Sequence, residues 1–204
     1  MTRIYLVRHG ETLSNVWKTL QGWSDTPLTE KGIQQGKELA ILLKEMKPAA
    51  IYSSTSERAY DTACLINEYH DLKIQMTKGL KELNFGSFET QPEYMLGGNP
   101  RYIINFDWTQ YNGENIDILT KRVGDTLYKI ISSSRPTDRI ICVTHSISIL
   151  AALRYIDEKI YVHRMRYNQF IDNCSVTVLE FNESHFKVVS INTKNINEIY
   201  CHNH

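Results

Sequence analysis

Three short, continuously apolar runs constrain this chain most: Ile4-Tyr5-Leu6-Val7, Ala49-Ala50-Ile51-Tyr52 and Ile140-Ile141-Cys142-Val143. Apolar runs without polar alternation mark strands covered on both faces, the habit of parallel sheets. Helical patterns lie between them. Thr29 can cap a helix over residues 30 to about 46, with Ile33, Ala40 and Leu43 on one stripe, widened by Leu39, Leu42 and Met46, and limited by Pro48. Ser56 caps a second over residues 57 to about 69, with Ala59, Ala63, Ile66 and Tyr69 as its inward candidates. Ile116, Leu119, Val123, Leu127 and Ile130 recur at helical spacing, and a further helix covers residues 147–155.

Residues 73–76 read as a short strand. Residues 175–181 and 185–191 form an antiparallel pair across the turn Asn182-Glu183-Ser184. From Asn192 the chain is polar and loosely held, with Ile196, Ile199 and Tyr200 as docking points. Strand and helix alternate over the first two-thirds. The fold expected is therefore α/β: a three-layer α/β/α sandwich with a mostly parallel mixed sheet, as one domain over residues 1–204. Residues 86–113 lack periodicity and carry Pro92, Gly97-Gly98, Pro100 and many aromatics. They suggest a small inserted segment at about residues 87–113.

Charge narrows the partners. Lys plus Arg and Asp plus Glu both number 23, so neither nucleic acid nor an anionic membrane is the expected main partner. No apolar run approaches the roughly 18 residues of a membrane span. Met1-Thr2-Arg3 leads straight into the first apolar run and then Arg8-His9, unlike a secretory signal. Cys64, Cys142, Cys174 and Cys201 are widely spaced without a CxxC, and Cys142 and Cys174 lie in strand-like runs as buried thiols. A reducing cytoplasm fits that usage, and either a monomer or a homodimer is compatible.

In a parallel sheet the reactive site lies beyond the carboxyl ends of the strands. Arg8 and His9, the Ser53-Ser54 loop leading to Arg58, and His145 all follow such ends, with Glu82 in a loop. His9, His145, Glu82 and Asp61 could supply metal ligands. Arg8 and Arg58, however, would set two fixed positive charges beside a cation, whereas their forks suit phosphate. The expected site therefore contains no metal. No G-x-S-x-G elbow, GxxxxGK[ST] loop or GxGxxG fingerprint is present.

Leu6-Val7-Arg8-His9-Gly10-Glu11-Thr12 with Asn15 resembles the signature of the histidine phosphatase superfamily, also called phosphoglycerate mutase-like. The likeness continues in order through residues 21–32, 53–63, 82–89 and 143–146. It implies the phosphoglycerate mutase-like fold and a reaction without cofactor. It implies His9 as the phosphoryl-accepting nucleophile, Arg8, Arg58 and His145 as the phosphate grip, and Glu82 as proton donor. Asn15, Gln21, Gly22 and Ser146 join the substrate-binding set, Ser146 standing where many members have Gly. Chain length and residues 21–32 are similar to the alpha-ribazole phosphatases and broad-specificity members, whose substrates are small phosphorylated metabolites.

Within such a family the phosphohistidine passes either to water, a phosphatase, or to a bound sugar acid, a phosphoglycerate mutase. Mutases resemble longer chains with a basic insertion, whereas residues 88–111 here hold Arg101 alone among basic residues. The expectation is thus a phosphatase for small phosphate monoesters. A non-catalytic phosphate-binding or scaffold protein would require a lost key group, and all five are present. The aromatics of residues 88–111 fit either that segment's own core or an apolar lid over the leaving group.

Overall fold

The computed structural model describes residues 1–200, so Cys201 lies outside the described residues. In chain order the elements are β1 (Thr2–Arg8), α1 (Leu13–Trp17), α2 (Glu30–Leu43), β2 (Ala50–Ser54), α3 (Glu57–Asn67), β3 (Ile74–Thr77), α4 (Pro100–Asn105), α5 (Ile116–Ser132), β4 (Arg139–Thr144), α6 (Ser146–Ile156), α7 (Glu158–Arg166), β5 (Val176–Asn182), β6 (His185–Thr193) and α8 (Ile196–Tyr200). One sheet runs in the order β3-β2-β4-β1-β5-β6. The pairs among β3, β2, β4 and β1 are parallel, while β1–β5 and β5–β6 are antiparallel.

Side-chain alternation along the central strands divides the interior in two. Ile4 and Leu6 of β1, with Ile140 and Cys142 of β4, face a core closed by α5, α6 and α7. Tyr5 and Val7, with Ile141 and Val143, face the other core, closed by α2, α3 and α8. This is the three-layer α/β/α sandwich with a mixed sheet. All five periodic residues of α5 are buried in the first core.

Local details depart from the periodic reading. Helix α2 ends at Leu43 rather than near Met46, and Ile33 is 39% exposed. Its inward face near the start consists of Gly32 and Gly36 instead. A Cβ on Gly32 would stand 2.1 Å from the Glu11 carbonyl oxygen, and one on Gly10 2.5 Å from that of Gly32. The loop after β1 and the first turn of α2 thus meet backbone to backbone, a contact that leaves no hydrophobic mark.

Helix α3 stops at Asn67, whose side-chain amide donates to the Leu72 carbonyl at 2.7 Å and accepts from the Leu72 N–H at 3.0 Å. That turn leaves Tyr69 exposed rather than inward. Ser56 occupies the cap position of α3 without a side-chain capping bond, and Asp25 supplies one, accepting from the Glu57 N–H at 2.8 Å. Helices α1 and α7 carry too short or too polar a pattern to show beforehand. The tail docks through α8, where Ile199 is buried and the Tyr200 hydroxyl donates to the Leu42 carbonyl at 3.2 Å.

Candidate active site

The carboxyl ends of β1, β2 and β4 bring His9, Arg58 and His145 together. His9 follows β1, and its N–H donates to the Thr144 carbonyl at the end of β4, at 3.0 Å. The ring is held by both nitrogens. Nδ1 lies 2.7 Å from the Gly10 carbonyl oxygen, which can only accept, so Nδ1 carries the hydrogen. Nε2 therefore keeps its lone pair, and the Arg58 Nε–H donates to it at 3.3 Å. Burial, with Arg58 and Arg8 adding repulsion, holds the imidazole well below its ordinary pKa despite the Gly10 bond. A neutral ring with a defined unprotonated nitrogen is a nucleophile.

Arg58 opens α3 and is fully buried. Its guanidinium pairs with Asp25 at 2.6 Å and also donates to the carbonyls of Gln21, Gly22 and Ser24. Residues 21–25 are held in turn by Glu89, whose carboxylate accepts from the N–H groups of Gly22, Trp23, Ser24 and Phe85 at 2.9–3.1 Å. Arg8 donates to the Ile171 carbonyl, while its Nε is buried without a partner. The His145 ring stands edge-on to His9 with centroids 5.2 Å apart. Its Nε2 bonds the Ser54 hydroxyl at 2.8 Å and its Nδ1 is buried without a partner. Burial, then Arg58 and His9, likewise holds this ring well below the ordinary range.

Glu82 reaches the same cavity from its loop. Its carboxylate accepts from the N–H groups of Leu83, Ile147 and Ser148 at 2.9–3.0 Å, the last two at the start of α6. Burial pushes the carboxyl pKa up, and the N–H groups of Ile147 and Leu83, Arg58 and Arg8 oppose that without cancelling it. Arg122 fixes the loop by donating to the Glu82 carbonyl at 3.0 Å and pairing with Glu114 at 2.7 Å.

The cavity encloses about 260 Å³ and is lined by Arg8, His9, Asn15, Gln21, Glu82 and Ser146 among others. Asn15 accepts from the Thr12 N–H and from the Asn173 amide with its carbonyl oxygen, leaving its NH2 as the donor end. Gln21 has both side-chain ends committed, to Thr12 and Thr26, so it frames the cavity. Gly22 lies behind Arg58, and a Cβ there would meet the Leu83 carbonyl at 2.2 Å. Ser146 directs its hydroxyl to the Ile171 carbonyl at 3.5 Å.

Residues 4–194 match the family described as "Histidine phosphatase superfamily (branch 1)". The chain belongs to this family. The histidine phosphatases it is similar to carry different names. The "Uncharacterized phosphatase PhoE" of Bacillus subtilis is 34% identical over 156 residues, 76% of this chain and 78% of the relative. The "Probable phosphoglycerate mutase GpmB" of Escherichia coli O1:K1 / APEC is 32% identical over 200 residues, 90% of this chain and 87% of the relative. Among solved structures, a phosphoserine phosphatase variant from Entamoeba histolytica in complex with phosphoserine superposes with a TM-score of 0.82 at 27% identity, covering 96% of this chain and 99% of that one.

Within this member of the histidine phosphatase superfamily, sequence reasoning passed over Asp25, Glu89, Arg122 and Asn173. All four act on backbone or on other side chains across long separations, which gives no periodic signal. Asp25 and Glu89 lay inside the family-like blocks and could have been singled out there. Asp61, weighed as a metal ligand, is not on the cavity wall, and neither are Arg58, His145 and Gly22 of the expected substrate-binding set, the first two standing against His9 instead. Cys142 and Cys174 are buried, and burial pushes both thiols up, Cys174 to about 12. No helix among the described residues is long and apolar enough to cross a membrane.

Proposed function

We propose that this chain hydrolyses small organic phosphate monoesters through a phosphohistidine on His9. The observation carrying this reading is the His9 ring, fixed as a neutral Nδ1–H tautomer with its Nε2 lone pair among Arg8, Arg58 and His145. The unpartnered Arg8 Nε and His145 Nδ1 are groups that phosphate oxygens would satisfy. In the first step Nε2 bonds phosphorus as the ester P–O bond breaks, and protonated Glu82 gives its proton to the leaving oxygen. In the second, Glu82 takes a proton from water as the water oxygen bonds phosphorus and the P–N bond breaks. Arg8 answers charge on the equatorial oxygens throughout, and Arg58 adds its positive charge from behind His9.

Transfer to a sugar acid instead of water needs a cation for the acceptor's carboxylate. Among the described residues Arg8 is the one Lys or Arg on the cavity wall, and Arg101 of α4 is directed to the Arg166 carbonyl at 3.5 Å. That favours water. In the inserted segment, Phe106, Trp108 and Tyr111 pack with Phe85 and Phe88, while Pro100, Ile103 and Ile104 face the cavity. We assign the first group to the segment's own core and the second to an apolar lid on the leaving group. The volume lies below the ~300–1,000 Å³ of sites for drug-sized ligands, in keeping with a small alcohol.

Incubation with a 32P-labelled monoester and rapid quench tests the reading. Wild type should yield an acid-labile, base-stable adduct, and His9→Gln neither adduct nor turnover. Turnover surviving in His9→Gln would sink the phosphohistidine route.

A further inference from the structure

The proposed phosphatase site contains a carboxylate that its chemistry does not use. Glu93 lines the cavity beside Pro100, Ile103, Ile104, Phe85 and Phe170. It is half-buried, and among the described residues its carboxylate accepts no hydrogen bond and closes no ion pair. Burial raises its pKa, and Lys18 and Arg8 act on it favourably without pairing with it. A carboxylate partly withdrawn from water attracts a cation more strongly than one on the open surface. It is also firmly placed. The Glu93 N–H donates to the Lys18 carbonyl at 2.9 Å, Thr19 bridges Pro92, and Leu20 exchanges backbone bonds with Gln91 and Thr90 at 2.9 and 2.8 Å. Residues 90–93 are thus stitched to residues 18–20, so Glu93 stands on a paired frame rather than a free loop tip.

On the basis of the reading above, we infer that Glu93 is a specificity-determining residue, selecting phosphate monoesters of short amino alcohols. The phosphate would sit on Arg8 and His9 while an ammonium at the other end of the alcohol meets Glu93. Phe85 and Phe170 on the wall suit the alkyl stem and the cation's apolar shell. A carboxylate-bearing leaving group such as phosphoglycerate meets a like charge at the same place, and a neutral alcohol leaves Glu93 unanswered.

The test compares kcat/KM within each protein for two matched pairs and one anionic reference. Phosphoethanolamine is set against propyl phosphate, phosphocholine against its uncharged isostere 3,3-dimethylbutyl phosphate, and both against 3-phosphoglycerate. The two pairs separate a hydrogen-bonding ammonium from a bare cation. Wild type should favour at least one cationic ester over its neutral partner by about tenfold or more, the ~1.4 kcal/mol scale of one modest ionic contact. Glu93→Gln should bring that ratio close to one, and Glu93→Lys should raise 3-phosphoglycerate relative to the cationic esters. A wild-type ratio near one, or a ratio that survives in Glu93→Gln, would overturn the assignment. Turnover of p-nitrophenyl phosphate with the His9 adduct present leaves the phosphatase reading standing in that event. Absence of both counts against the phosphatase reading itself.

Discussion

At the scale of single residues, Glu82 carries two opposed demands. It must hold a proton for the leaving oxygen and then accept one from water. Burial raises its pKa while the N–H groups at the start of α6 retain some stability for the anion, so both forms stay accessible. The first step requires neutral Glu82 and neutral His9. Activity on alkyl phosphates should therefore fall as pH rises through the elevated carboxyl pKa, and fall again at acid pH as His9 gains a proton. Glu82→Gln should lower kcat/KM for an alkyl phosphate by about 10²–10⁴-fold, the usual size of a lost general acid. The loss on p-nitrophenyl phosphate, whose leaving group needs little protonation, should be clearly smaller. Equal losses on the two substrates would remove Glu82 from the role of acid.

At the scale of elements, the site rests on how closely the loop after β1 approaches α2. Gly32 permits that contact, since a Cβ there would meet the Glu11 carbonyl oxygen at 2.1 Å and the Glu11 nitrogen at 2.8 Å. Neither atom is a flexible side-chain end, so Gly32→Ala must move backbone next to His9. Overpacking of this kind costs about 1–3 kcal/mol, readable as a lower urea midpoint, and kcat should fall with it. An unchanged midpoint would show that α2 can slide freely. This contact also marks the limit of what the sequence revealed. The apolar runs announced β1, β2 and β4 because strands buried on both faces leave a continuous hydrophobic trace. Through them His9, Arg58 and His145 could be placed at one sheet edge in advance. The glycine face of α2, the Asn67 turn that exposes Tyr69, and the Asp25 cap of α3 depend on backbone packing and long-range polar bonds. Polarity patterns do not record those. Glu93 escaped notice for the same reason: its importance comes from the apolar walls around it.

At the scale of the whole molecule, gathering neutral imidazoles in the interior makes stability depend on pH with a definite sign. Burial, as the leading cause, holds His9 and His145 well below the ~6.5 of a free imidazole. Below about that pH the unfolded chain binds protons at these positions while the folded chain does not, so acid favours unfolding. Each ring then removes up to ~1.4 kcal/mol per pH unit. Glu82 works the other way. Its raised pKa makes the folded state the stronger proton binder, so its contribution is present at low pH and lost as pH rises through the folded value. Half-buried His70, also lowered by burial, adds to the imidazole side. Glu11 and Asp107, both lowered by local hydrogen bonds, titrate near and below the ordinary carboxylate range and matter only in stronger acid. Glu93 and Asp61, also raised by burial, act on the side of Glu82, so the share that belongs to His9 is read between about pH 7 and pH 5.5 from a variant that lacks its ring. His9→Gln withdraws one titrating ring but keeps a polar side chain able to bond Gly10. Urea denaturation across that range should show wild type losing stability relative to His9→Gln, by up to ~1.4 kcal/mol per pH unit toward the acid end. Parallel pH profiles would mean that His9 takes up its proton in the folded state, and the neutral nucleophile would lose its physical basis.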